Sequence, residues 1–121
     1  VAAMRQKMHS GHPNTSDLFD LKHDSGGIVD VEFIVQFLVL AHAKQYPQLT
    51  QNIGNIGLLE MLANLGLIKK QKAKKVAAAY REYRRLQHAI RLQGESRARV
   101  ALDDVRTQVA AVQDFWNEVF V

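Results

Sequence analysis

The sequence contains no cysteine, which excludes disulfides and thiolate metal sites and suits a reducing, cytoplasmic setting. It has only two prolines and seven glycines among abundant Ala, Leu, Gln and Lys, a balance that favours helices over sheet. No apolar run is long enough to cross a bilayer. The longest, from Phe33 to Ala41, is broken by Gln36 and bounded by Glu32 and His42, so it reads as a core helix. The glycine spacings of dinucleotide and P-loop sites are absent. No glycine-flanked serine forms a nucleophile elbow; Ser10, Ser16, Ser25 and Ser96 fall in loops or at helix ends. Helix-turn-helix and RNA-binding signatures are missing too. The histidines His9, His12, His23, His42 and His88 offer no pair at metal-ligand spacing on one helix. His88 sits beside an apolar stripe and is expected to be buried and hydrogen-bonded.

What is present is helical periodicity over 121 residues, enough for one domain with a real core. The chain opens on Val1 with helix-like VAAMRQKM and no cap, the expected look of a piece cut from a longer protein. Residues 1–24 read as the end of a preceding helix, stopped by Gly11 and Pro13, then a turn-rich loop and a short extended arm around Leu18, Phe19 and Leu21. Residues 25–121 read as the bundle. Its first helix runs from about Ile28 to Tyr46, apolar on nearly every side and so expected to be surrounded. A shorter one covers Asn55 to Leu65, closed by Gly66. A long one covers Lys69 to Gln93, with Ala73, Val76, Tyr80, Tyr83, Leu86 and Ile90 on one stripe. After a basic loop at Gly94–Arg99, Asp103 or Asp104 caps a last helix carrying Val105, Val109, Val112, Trp116 and Val119 inward. The fold class is all-α, an antiparallel four-helix bundle.

The chemistry-bearing stretch is Asp20–Glu32, an Asp-Leu-Lys lead-in and a glycine pair opening the first bundle helix. A glycine-rich helix entrance can hold phosphate on free N–H groups. Here Asp30 and Glu32 put negative charge where the anion would sit, so a direct cradle would need Lys22 or a metal as bridge. The ordinary reading is a sharp turn at Gly26-Gly27 with acids offsetting the helix dipole. Asp30 and Glu32 are two apart, so on a helix they diverge and do not clamp a magnesium ion. An ion pair to Lys22 or Arg5 is the plainer role for them.

Charge is segregated. Lys69 to Arg99 holds eleven basic residues against two acids, while the rest holds five against ten. Arg81, Arg84, Arg85 and Arg91 form a basic face suited to an anionic partner. Arg97 and Arg99 extend it. Aromatics for base stacking are scarce there, which disfavours nucleic acid.

The run Asp20-Leu21-Lys22, Gly26-Gly27-Ile28-Val29-Asp30-Val31-Glu32-Phe33 and Gln36 resembles the glutamine synthetase adenylyltransferase/adenylyl-removing enzyme family. Met4-Arg5-x-Lys7-Met8 and Ala79-Tyr80-x-x-Tyr83-Arg84 with Gln87-His88 fit the same pattern. The resemblance implies a bifunctional parent that uses ATP and Mg²⁺ to add AMP to glutamine synthetase and also removes it. Each half of that parent is a nucleotidyltransferase domain followed by a helical bundle. Val29-Asp30 is similar to the transferase half at the C-terminal end, where the removing half would carry Arg-Glu. The implied partners are an upstream nucleotidyltransferase domain, glutamine synthetase and a PII-type signalling protein. Asp20, Lys22, Gly26, Gly27, Asp30 and Glu32 would lie near the nucleotide or the domain boundary. The family's catalytic Gly-Ser turn and Asp-x-Asp pair have no counterpart in this sequence, so the fragment is expected to be inactive alone. A stand-alone interaction module, or a nucleic-acid binder using the same basic face, is the alternative.

Overall fold

The computed structural model describes residues 17–121. The readings made for residues 1–16, including the preceding helix, His9, His12 and the Arg5 ion pair, lie outside the described residues. A two-residue strand β1 (Phe19–Asp20) leads into helix α1 (Ile28–His42). A 3₁₀ turn at Pro47–Thr50 precedes α2 (Gly54–Asn64) and α3 (Lys70–Leu92). Strand β2 (Arg99–Val100) and a 3₁₀ turn at Leu102–Val105 then deliver the chain to α4 (Arg106–Phe120). The described residues are thus an all-α bundle of four helices with one minute antiparallel ladder, in which Phe19 faces Val100 and Asp20 faces Arg99.

Apolar burial holds the helices together. Helix α1 packs on α2, α3 and α4, and α3 packs along α4. Val31, Ile34 and Val35 of α1, Leu59 and Leu62 of α2, Val76 and Tyr83 of α3, and Val112 and Phe115 of α4 meet in a continuous core. A fully buried Leu, Ile, Val or Phe contributes about 1.5–3 kcal/mol. The expectation that α1 is enclosed on all sides is only partly met. Leu40 is 80% exposed on the side of α1 turned away from its three neighbours, and Phe37 is 36% exposed at the margin of the contact with α4. Below them, the Phe33, Trp116 and Phe120 rings pack together, with Phe37 against the edge of Phe120.

The extended arm belongs to this core. Phe19 and Leu21 are both buried. The Leu21 N–H donates to the Ala98 carbonyl at 2.9 Å, extending the ladder by one bond. Gly66 closes α2 as its position suggests: at φ +79° it lets its own N–H reach Ala63 and the Leu67 N–H reach Leu62.

Three local expectations are corrected. Helix α1 stops at His42 rather than Tyr46, and Pro47 starts a 3₁₀ turn that buries Leu49. Neither Asp103 nor Asp104 caps α4; the 3₁₀ turn makes Val105 the residue before the helix, and Asp103 instead pairs with Arg106 at 2.6 Å. His88 is exposed, because Gln87 takes the inward position one turn after Tyr83.

Candidate functional site: the glycine-tied loop

The loop from Asp20 to Ile28 is held by a set of hydrogen bonds that the residue types explain one by one. Asp20 Oδ1 accepts the backbone N–H groups of Lys22 at 2.9 Å and His23 at 3.1 Å. This is the turn that an aspartate makes with the backbone just after it. Asp24 returns the contact, its Oδ2 accepting the Asp20 N–H at 2.9 Å. The chain then doubles back so closely that the Ile28 N–H reaches the Leu21 carbonyl and the Val29 N–H reaches the Lys22 carbonyl, at 2.8 and 2.9 Å.

Only glycine fits at the two positions that make this possible. A Cβ on Gly27 would lie 2.5 Å from the Leu21 carbonyl oxygen. Gly26 has φ +90°, and its Cβ would meet Val109 Cγ1 at 3.0 Å. The glycines therefore admit this chain's own backbone and α4. Gln113 of α4 also reaches over the loop, its Nε2 lying 3.4 Å from Ser25.

Asp30 and Tyr83 secure the same residue, Gly26, by the two peptides that flank it. Asp30 is 2% exposed and accepts the Gly26 N–H at 2.8 Å. The Tyr83 hydroxyl, from α3, donates to the Gly26 carbonyl at 2.7 Å. Burial pushes the Tyr83 phenol far above its ordinary value, and the nearby Asp30 carboxylate adds to the rise. Both effects keep the hydroxyl protonated and donating.

Glu32 points elsewhere. Its Oε2 accepts from the Tyr80 hydroxyl at 3.1 Å, and Tyr80 accepts from Asn55 Nδ2 at 3.3 Å. The Tyr80 phenol is also raised, chiefly by burial. The two acids thus serve separate networks on opposite flanks of α1. Among the described residues no ion pair joins either acid to Lys22.

The six residues expected near a nucleotide or boundary are therefore sorted by the structure. Gly26, Gly27 and Asp30 turn inward and are buried, so a neighbour can feel them only through the loop they shape. Asp20 and Glu32 are half-buried. Lys22 alone of the six is exposed. Its backbone is pinned at both ends, the N–H to Asp20 and the carbonyl to Val29. The result is an anchored backbone from which the lysine side chain extends into solvent. Among the described residues, no group of three His, Asp or Glu side chains converges as a metal site would require. Asp30 and Glu32 are turned apart, so this pair does not hold a magnesium ion between them.

The sequence reading missed Tyr83 as the partner of the glycine pair, a contact between distant parts of the chain. It also missed what Asp30 does, for which a signal existed. Asp30 is the third residue of α1, the position from which an acid reaches back to the N–H groups ahead of a helix.

The basic face of α3 is solvent-exposed at Arg81, Arg84, Arg85 and Arg91, which fall within about a third of the helix circumference. Part of it is already neutralised: Arg81 lies 3.9 Å from Glu60, and Arg85 pairs with Glu82. No helix of the described residues is long and apolar enough to cross a membrane.

The described residues are thus a helical bundle domain entered through an Asp-x-Lys loop and a buried glycine pair. Residues 2–118 match the family described as GlnD PII-uridylyltransferase, and the chain belongs to that family. Its relatives carry a second nucleotidyltransferase name. A Burkholderia mallei protein described as bifunctional glutamine synthetase adenylyltransferase/adenylyl-removing enzyme is 48% identical over 120 residues, covering 99% of this chain. Proteins of the same description from Nitrosomonas eutropha and Ralstonia nicotianae are 48% and 52% identical, again over 99% of this chain. The chain spans only 13% to 14% of the length of these relatives.

Proposed function

We infer that this bundle works as the C-terminal helical domain of the transferase half of a bifunctional enzyme that adenylylates and deadenylylates glutamine synthetase, and so controls nitrogen assimilation. On this reading it packs against a preceding nucleotidyltransferase domain and completes one side of the AMP-transfer site. The observation that carries the reading is the near-complete match to relatives of that name, of which this chain is a small part. Val29-Asp30 in the first turn of α1 supports the transferase half.

The geometry supports a division of labour. Asp20, Gly26, Gly27, Asp30 and Tyr83 set the loop, and Lys22 is the group left to act outward, on a nucleotide phosphate or on a carboxylate of the neighbouring domain. ATP and Mg²⁺ belong, on this reading, to the preceding domain. On the same reading the transfer chemistry lies in that domain and this chain is inactive by itself. Glutamine synthetase is the protein substrate, and a PII-type signalling protein is a further partner of the parent, in the cytoplasm.

The test is Lys22→Ala in the full-length parent, assayed by AMP incorporation into glutamine synthetase. Losing a charge-assisted contact predicts a fall in rate of about tenfold or more. Unchanged ATP dependence and rate would sink the role given to Lys22. A stand-alone interaction module remains a second reading because Arg84 and Arg91 are exposed on the same side of α3. It predicts capture of an acidic protein by this chain alone.

A further inference from the structure

Helix α3 carries its charge on the surface that packing leaves over. Its apolar residues turn into the core, and Lys72 and Lys75 line the groove toward α4. Arg81 marks the opposite flank, where it lies toward Glu60 of α2. Along that flank Lys70, Lys74, Arg81, Arg84, His88 and Arg91 are all exposed. Successive steps between them are four, seven, three, four and three residues. This is the coiled-coil alternation of three and four, with the buried Ala77 filling the long step. The six positions stay within about 100° of the helix circumference over about 32 Å of its axis.

The five cations of this stripe are nearly unopposed. Among the described residues Lys70, Lys74, Arg84 and Arg91 form no ion pair, and Arg81 has only the Glu60 carboxylate at 3.9 Å. The one acid of α3, Glu82, is held by Arg85. Lys70 with Lys74, and Arg81 with Arg84, are like charges one turn apart, an arrangement that destabilises a helix by itself. The buried face of α3 upholds it here, and carboxylates laid alongside relieve the repulsion.

We propose that this flank receives an acidic helix of a partner protein, laid lengthwise on α3 with its carboxylates at the same alternating spacing. The period decides for a helix. An extended peptide repeats its side chains about every 6.8 Å on one face, out of step with cations that follow turns of about 5.4 Å. Nucleic acid fits less well, because Tyr80 and Tyr83 are buried and neither offers a base a stacking surface. A membrane surface also fits less well, because the apolar face of α3 lies in the core rather than beside the cations. Arg84 and Arg91 belong to the interaction-module reading as well; what is added is the partner's shape and the register of its charges. None of these residues is in the glycine-tied loop, so the stripe serves a domain inside a larger enzyme equally well.

The test is a ¹H–¹⁵N titration of the 121-residue chain with a synthetic helical peptide of about 22 residues, the length of the stripe. Its glutamates are set alternately three and four apart among alanine and glutamine. A second peptide has the same composition, with the glutamates spread around the helix. The expected result is saturable movement of the Lys70, Lys74, Arg81, Arg84 and Arg91 amides with the first peptide, and binding at least about tenfold weaker with the second. Lys74→Glu with Arg84→Glu should weaken the first peptide at least about tenfold. Lys69→Glu with Lys75→Glu changes net charge equally but beside the α4 groove, and should stay within about twofold. Lys74→Gln with Arg84→Gln provides a second variant if the reversed pair loses its dispersed spectrum. The stripe is refuted if the five amides stay still, if both peptides bind alike, or if the two reversed pairs lose affinity alike. Tighter binding of a single-stranded oligonucleotide, or of phosphatidylserine–phosphatidylcholine vesicles, than of the first peptide refutes it equally. None of these outcomes touches the transferase reading, whose readout is AMP transfer.

Discussion

Tyr83→Phe isolates a single atom. The phenol ring is fully buried, lies 6.2 Å from the Phe19 ring, and loses nothing but its hydroxyl in the substitution. That hydroxyl is 2.7 Å from the Gly26 carbonyl, at a site shut off from water. Without it the carbonyl is stranded, at a cost of about 2 kcal/mol. For a domain of this size that corresponds to a fall in melting temperature of about 8 °C by calorimetry or circular dichroism. A second signature is pH dependence. Tyr83 ionises far less readily folded than unfolded. Its stabilising contribution is therefore complete below the ordinary tyrosine value of 10.0 and declines as pH rises from there toward the raised folded value. Unfolding free energy should fall by up to about 1.4 kcal/mol per pH unit in that window for this one group. Tyr80 adds a smaller slope of the same sign. Tyr83→Phe should remove the larger part of the alkaline loss. A variant that melts within about 2 °C of the parent, with the same alkaline slope, would show that the hydroxyl does not hold the loop.

The glycines give a paired test. Gly27→Ala drives a Cβ into the Leu21 carbonyl and should cost about 3 kcal/mol, whereas Gly54→Ala meets nothing within 4 Å and should cost about 1 kcal/mol from its φ of +81° alone. Denaturant midpoints at constant m-value would measure both. On α1, Ile34→Ala should lose about 3 kcal/mol from the core, and Leu40→Ala, 80% exposed, should stay within about 0.5 kcal/mol. Equal losses at the two positions would mean that α1 faces differently. The Lys72 cluster with Asp114 and Glu118 is a surface network. The Asp114 carboxyl is held below its ordinary value by Lys72, so its small contribution is present at neutral pH and fades as pH falls into the acid range. Lys72→Gln should therefore shift the melting temperature by no more than about 2 °C, and less in high salt.

The helices were legible because their apolar positions recur at helical spacing, and α3 shows both the strength and the limit of that signal. Its stripe at Val76, Tyr80 and Tyr83 was plain. Beyond Tyr83 the stripe runs on through Leu86 and Ile90, which are half-buried, while His88, expected to be buried beside it, is exposed. The buried polar residue is Gln87, four residues beyond Tyr83. Helix ends were less legible. Asp103 and Asp104 resemble caps, but a 3₁₀ turn inserted ahead of α4 moved the helix start past both. At the loop, the glycines and acids stood out as a group while their orientation did not. The sequence shows that Gly27 tolerates close approach, and only the fold shows that the approaching atom is Leu21's own carbonyl. That Lys22 is the exposed member of the six was hidden for a related reason. Hydrogen bonds to Tyr83 and contacts from Val109 and Gln113 join segments too far apart in the chain for spacing to disclose.

The ladder of β1 and β2 has a mechanical consequence. It buckles the beginning of the described chain to the stretch just ahead of α4, closing nearly the whole bundle into one loop with only a few bonds. Displacement of the polypeptide ahead of Phe19 is therefore passed across the hydrogen bonds of the ladder to the stretch that enters the last helix. Such a short clasp gains little enthalpy for the long loop that it closes, so it parts before the helices do. Whatever tugs on that leading end can loosen the seat of α4 while the remaining three helices stay assembled.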